Sequence, residues 1–133
     1  EFGMFQCNIT QSAHKLDLRR CILLDNESTV HAFCNKELVS SIHTSDQKMV
    51  LNTNGGGIET NLQCVVKDLN QIVWFHPKYI TNVLSLGLLE TQYHITYDSV
   101  VDDGMFIVHH PDKSDLKFRC HPSGLHLLQV QKH

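Results

Sequence analysis

One carboxylic acid in this chain sits where chemistry could use it. Asp25 ends the run Cys21-Ile22-Leu23-Leu24 and is followed by the polar stretch Asn26-Glu27-Ser28-Thr29. A continuous apolar run of this length reads as a buried strand. A carboxylate delivered to its end loses solvation, a cost that something nearby must offset. An isolated Asp after a strand ordinarily starts a turn or caps a helix. The other use of such a group is proton transfer to or from a bound substrate.

Other constellations are weaker. Val100-Val101-Asp102-Asp103-Gly104 also places acids after apolar residues, but Asp-Gly between two strand-like runs is a common hairpin connection. Ten histidines raise the question of a metal. The closest groupings are His109-His110 and Cys120-His121. Adjacent strand residues point to opposite faces, and no spacing matches a zinc site. No metal and no cofactor are therefore expected. Cys34 near His31 suggests a thiol and its base, but residues three apart on a strand face opposite ways and no oxyanion element is evident. A buried free cysteine is the simpler reading.

The elements that must position Asp25 are mostly strands. Short apolar runs rich in β-branched residues recur about every ten residues, a spacing typical of a small barrel or sandwich. After the first strand, Val30 to Phe33 resumes apolar character, and Asn35 can cap a short helix over the next residues. Lys48 to Leu51 and Ile58 to Lys67 read as two arms of a hairpin. Its tip, Asn54-Gly55-Gly56-Gly57, is freed by three glycines. Gln71 to Phe75 is the next strand. Thr81 to Glu90 is the best helix candidate, with Thr81 or Asn82 as its cap. Strands at Tyr93–Tyr97, Met105–His109, Leu116–Arg119 and Leu125–Val130 complete the chain. The halves echo each other weakly, each with an apolar strand that ends in a polar corner.

Composition narrows the function classes. The 133 residues suit one domain. A net charge of −3 without a basic run gives no reason to expect nucleic acid. No apolar run approaches the roughly 20 residues of a membrane helix, so no membrane partner is expected. The five cysteines are odd in number and scattered, which favours a reducing, cytoplasmic home over a disulfide scaffold. Glu1-Phe2-Gly3-Met4 reads as a cloning scar, residues 5–19 as an N-terminal segment and 20–130 as the domain.

Several motifs together resemble the proteases of copia-type retrotransposons, which are retropepsin-like. Leu23-Leu24-Asp25 followed by small polar residues, His31 and the Asn35–Leu38 stretch is similar to the family's catalytic segment. Asn52 to Gly56 sits where that family carries its flap. Asn82-Val83-Leu84-Ser85-Leu86 resembles its Asn-apolar-apolar-Ser-apolar signature. Gly124-Leu125-His126-Leu127-Leu128 resembles its closing segment. The likeness spans roughly residues 20 to 130.

The resemblance implies an all-β domain, a closed β-barrel of the acid-protease half-lobe kind with one short helix. It implies a homodimer in which Asp25 of each copy meets at a twofold axis and activates a water against an extended polyprotein substrate. Such a protein works in the cytoplasm, including inside virus-like particles. Asn26 would brace the dimer, Ser28 and Thr29 would complete the active-site loop, and Asn54, Gly55, Gly56 and Gly57 would form the flap tip. Leu84, Ser85 and Leu86 would support the loop from a second strand.

The chain departs from the pattern at two positions. Asn26 stands where the family carries Ser or Thr, and Glu27 where it carries Gly. An amide can still hydrogen-bond across a twofold axis. Glu27 adds bulk and charge. Near the catalytic pair it would hold more protons in the site, in a subsite it would favour basic substrate residues, and at a positive φ it would be strained.

Overall fold

The computed structural model describes residues 17–53 and 55–130. The expected cloning scar (residues 1–4), residues 5–16 of the expected N-terminal segment with Cys7, Asn54 and the last three residues lie outside the described residues.

The chain is mostly β, with one short helix. Its strands are β1 (Cys21–Asp25), β2 (Ala32–Phe33), β3 (Val39–Thr53), β4 (Gly56–Val66), β5 (Ile72–Phe75), β6 (Asn82–Ser85), β7 (His94–Asp98), β8 (Met105–His109), β9 (Leu116–Cys120) and β10 (His126–Gln129). The helix, α1, is Leu86–Glu90. All ten strands join in one sheet of order β3-β4-β5-β2-β6-β1-β10-β9-β8-β7.

The sheet is open, which corrects the expected closed barrel. No ladder among the described residues links β3 to β7, so both remain edges. The C-terminal strands extend the sheet beyond β10 instead of closing it. The sheet nevertheless curls: Val39 and Val66 from one wing share a single apolar cluster with Val108 and Phe118 from the other.

β1 lies between β6, which runs parallel to it, and β10, which runs antiparallel. Every residue of β1 is buried. Because side chains alternate, Ile22 and Leu24 enter one cluster and Cys21 and Leu23 enter the other. This explains the unbroken apolar run, as strands covered on both faces lack polar alternation. Each buried leucine contributes roughly 1.5–3 kcal/mol, which helps offset the cost of holding Asp25 at the strand's end.

Two further expectations are corrected. Asn82 to Ser85 is not helical. It forms β6, and the helix starts only at Leu86, capped by the Ser85 hydroxyl. Pairing with β1 outweighs the local helical preference. β3 is also far longer than Lys48–Leu51. Its outer half is exposed, and its register with β4 slips between Ser40 and His43 and again between Thr44 and Met49. From Ser40 to Lys48 no residue is buried, and a stretch with no buried face shows no alternation to read. The segment after Asn35 is a single 3-10 turn, Lys36–Leu38, capped by the Asn35 side chain.

Candidate functional site

Asp25 is 5% exposed. Its Oδ1 accepts the backbone N–H of Glu27 at 2.8 Å, an Asx turn that starts the loop over Asn26 to Thr29. Ser28 tightens the loop by donating its hydroxyl to the Val30 carbonyl at 2.7 Å. In the parallel ladder Asp25 pairs with Ser85 and Leu24 with Leu84. The Ser85 hydroxyl donates to the Ser28 carbonyl at 2.7 Å and accepts Leu88 N–H at 3.2 Å. Ser85 therefore supports the loop from the neighbouring strand. Leu84 is fully buried in the core, and Leu86 is half-buried and lines a small cavity that also reaches Asp25.

A cleft of about 960 Å³ opens above Asp25. Asp25, Glu27, Ser28 and Thr29 line one side of it, and Asn52, Thr53, Gly56 and Gly57 from the β3–β4 hairpin line the other. Ala32, Met49, Leu51 and Tyr79 form apolar walls. Two of the sequence motifs, the Asp25 segment and the glycine hairpin, thus line one cavity. Asn54 lies outside the described residues.

The hairpin tip is better defined than three glycines suggest. The Thr53 hydroxyl donates to the Gly56 carbonyl at 2.6 Å and accepts Gly55 N–H at 3.2 Å. Gly56 has φ +110°, a conformation suited to glycine. A Cβ on Gly57 would stand 2.5 Å from Val50 Cγ1. These glycines allow a sharp turn and close cross-strand packing at the rim of the cleft.

Asn26 is exposed and lines a second, smaller cavity of about 290 Å³ that shares Asp25 with the cleft. Tyr97, Phe106 and His126 form its aromatic side, with Phe106 and His126 edge to face at 4.8 Å. His126 Nε2 is buried without a hydrogen-bond partner among the described residues. Burial pushes the His126 pKa down.

Glu27 is exposed at the cleft's edge. Among the described residues, the non-glycine residues with positive φ are Ser41, Asp68, Asn70, Asp102 and Asp103. Glu27 is not among them, so a side chain at this position imposes no backbone strain.

No protein-family model, curated protein or solved structure matches the chain. The reading of the site therefore rests on its own geometry.

Three residues matter more than the sequence indicated. Tyr79 faces the cleft, and its pKa is raised by burial, then by the Asp25 carboxylate and the Cys34 thiol. Nothing in Pro77-Lys78-Tyr79 marks it for that position. His31 is buried against the floor of the loop. Asn82 is completely buried. Its Oδ1 accepts N–H groups of Cys34 and Asn35 at 3.0 and 3.1 Å, and its Nδ2 donates to the carbonyls of Arg19 and Cys21 at 3.0 and 2.9 Å. An asparagine inside an apolar run was the available signal, because burying a primary amide requires partners.

The rival acid is accounted for. Asp102 accepts Arg119 Nε at 2.9 Å on the surface, in a turn closed by Gly104. Among the described residues, no group of three or more His, Cys, Asp or Glu side chains is placed to hold a metal ion. Cys21, Cys34, Cys64 and Cys120 are free. No helix among the described residues is long and apolar enough to cross a membrane.

Proposed function

We propose that this chain is a retropepsin-like aspartic endopeptidase of the copia-type retrotransposon class, working as a homodimer on extended segments of a Gag-Pol-like polyprotein in the cytoplasm. The observation that carries this reading is the placement of buried Asp25 on a cleft whose opposite side is a glycine hairpin. A peptide lying in that cleft would have a carboxylate on one side and hairpin backbone on the other. Such an arrangement suits main-chain recognition of an extended strand.

The chemistry needs two carboxylates. Two such groups a few ångströms apart cannot both ionise readily, so they share one proton. The ionised member takes a proton from the water between them, and the protonated member donates to the scissile carbonyl. Here Asp25 is the acid fixed at the end of a buried strand, so the second is supplied by the same residue of another copy. The hairpin would close over the substrate and exclude bulk water.

A second reading is a dimerising or peptide-binding module of the same fold without catalysis. Glu27, a charged side chain at the cleft's edge where the family carries glycine, favours it.

Cleavage of a mixed peptide library across roughly pH 3.5–7.5 separates the two. Cleavage by the parent and none by Asp25→Asn supports the protease. A folded parent dimer that cuts nothing, with activity emerging in Glu27→Gly, supports the module.

A further inference from the structure

Beneath the loop that carries Asp25 lies a histidine with both ring nitrogens engaged. His31 is 4% exposed. Its Nδ1 is 2.9 Å from the backbone nitrogen of Ser85. A backbone N–H can only donate, so Nδ1 carries the lone pair and the ring proton is on Nε2. Nε2 lies 3.3 Å from Gln71 Oε1, and Gln71 Nε2 donates onward to Gln92 Oε1 at 2.9 Å. The imidazole is thereby oriented from both ends.

Ser85 passes the constraint on. Its backbone is held by His31, its side chain holds the Ser28 carbonyl, and it is the register partner of Asp25. The strand leaving the active-site loop thus reaches back to fix the strand beside Asp25.

We propose that His31 is a positioning residue for Asp25: by accepting the Ser85 N–H it fixes Ser85, which anchors the 26–29 loop and presents the carboxylate to the cleft in one orientation. The functional consequence rests on the protease reading, while the structural linkage does not. Position 31 then requires an acceptor at the place of Nδ1, and bulk alone does not satisfy it. Asparagine supplies that acceptor with Oδ1. Glutamine places its polar atoms one bond further out, near Nε2.

The test compares His31→Asn, His31→Gln and Ser85→Ala with the parent. kcat and KM are measured on a fluorogenic peptide chosen from those the parent cleaves, and hydrogen exchange is measured at the Ser85 amide. His31→Asn should keep the amide protected and kcat within about threefold of the parent. His31→Gln should expose the amide and lower kcat by about 10- to 100-fold at similar KM, the range expected from small misplacements of a catalytic group. Ser85→Ala should lower kcat similarly while its amide stays protected, because it removes the hydroxyl's links to Ser28 and Leu88 and leaves the backbone N–H bonded to His31. Equal kcat for the Asn and Gln variants, or equal protection of Ser85 in both, overturns the proposal. If the parent cuts no peptide, the protease reading falls separately. Amide exchange and the backbone shifts of Asn26 and Ser28 then decide the linkage: changes in His31→Gln but not His31→Asn support it, and identical behaviour overturns it.

Discussion

Asp25 and Ser85 are register partners at the ends of two parallel strands, so a carboxylate and a hydroxyl occupy equivalent corners of the sheet. Their roles differ because their partners differ. The Ser85 hydroxyl is committed to Ser28 and Leu88. Asp25 accepts Glu27 N–H through one oxygen and lines the open cleft. One corner is structural and the other faces the open cleft. The weak echo between the two halves of the sequence is thus realised as adjacent strands.

Asn82 holds the start of that arrangement. Its side chain satisfies two N–H groups of the segment after β2 and two carbonyls flanking the start of β1. Asn82→Leu removes all four bonds while keeping the heavy-atom skeleton branched at Cγ, with bulkier methyl groups in place of the amide oxygen and nitrogen. Orphaned buried groups cost about 1–3 kcal/mol each, and partial hydration would recover some of this. A net loss of about 3 kcal/mol or more is expected, read as a lower urea midpoint. Asn82→Asp should also destabilise, because an ionised carboxylate cannot donate to Arg19 and Cys21. A loss below about 1 kcal/mol for both would contradict the bracing role.

Much of this site could be read locally. The apolar run into Asp25 identified β1, and the Asn-Gly cluster identified the hairpin. What failed was long-range. Asn82 to Ser85 is strand because β1, some sixty residues earlier in the chain, accepts it in parallel, and strand preference depends strongly on such context. The bond from Ser85 to His31 spans 54 residues and leaves no periodic trace. The outer part of β3 has no buried face, so its pattern could not mark it. The closed barrel failed for a related reason: strand number and alternation do not tell whether the two sheet edges meet.

Acid should weaken the fold through His31 and His126. Burial lowers the pKa of both below the ordinary 6.5. Above 6.5 both are neutral whether folded or unfolded, and their full contribution is present. As pH falls below 6.5, the unfolded chain takes up protons that the folded chain resists, so stability declines until the folded values are passed. Protonated His31 would also turn a donor toward the Ser85 N–H. Urea midpoints should therefore fall between pH 7.5 and pH 5, and His31→Asn should flatten that slope. The same slope in parent and variant would remove His31 as a contributor.

The free thiols should separate by burial. Burial pushes the thiols of Cys21 and Cys64 up to about 11, with Asp17 adding to the effect at Cys21. Both are therefore protonated and enclosed at neutral pH, and thiolate is the reactive form. Cys120 is only half-buried. In alkylation followed by site-resolved mass spectrometry, Cys120 should label first among these three. Cys21 and Cys64 should label only as fast as the chain opens. Rapid labelling of Cys64 in native buffer would contradict the packed core around it.

Glu27 should tune which peptides the cleft accepts. Its side chain is exposed at the rim that also holds Asp25, and the described lining includes no Lys or Arg. If the chain is the proposed protease, a cationic residue next to the scissile bond gains attraction there, and an acidic one meets repulsion. Exposed charge pairs contribute about 0.2–1 kcal/mol, so a Lys-bearing peptide should be cleaved about two- to fivefold faster than its Glu counterpart at low salt. Glu27→Gln should narrow that ratio toward unity, and added salt should narrow it in the parent by screening. Peptides bound by Asp25→Asn protein report the same preference without turnover. A Lys-to-Glu ratio that Glu27→Gln leaves unchanged would assign the discrimination to other residues and leave Glu27 outside the subsite.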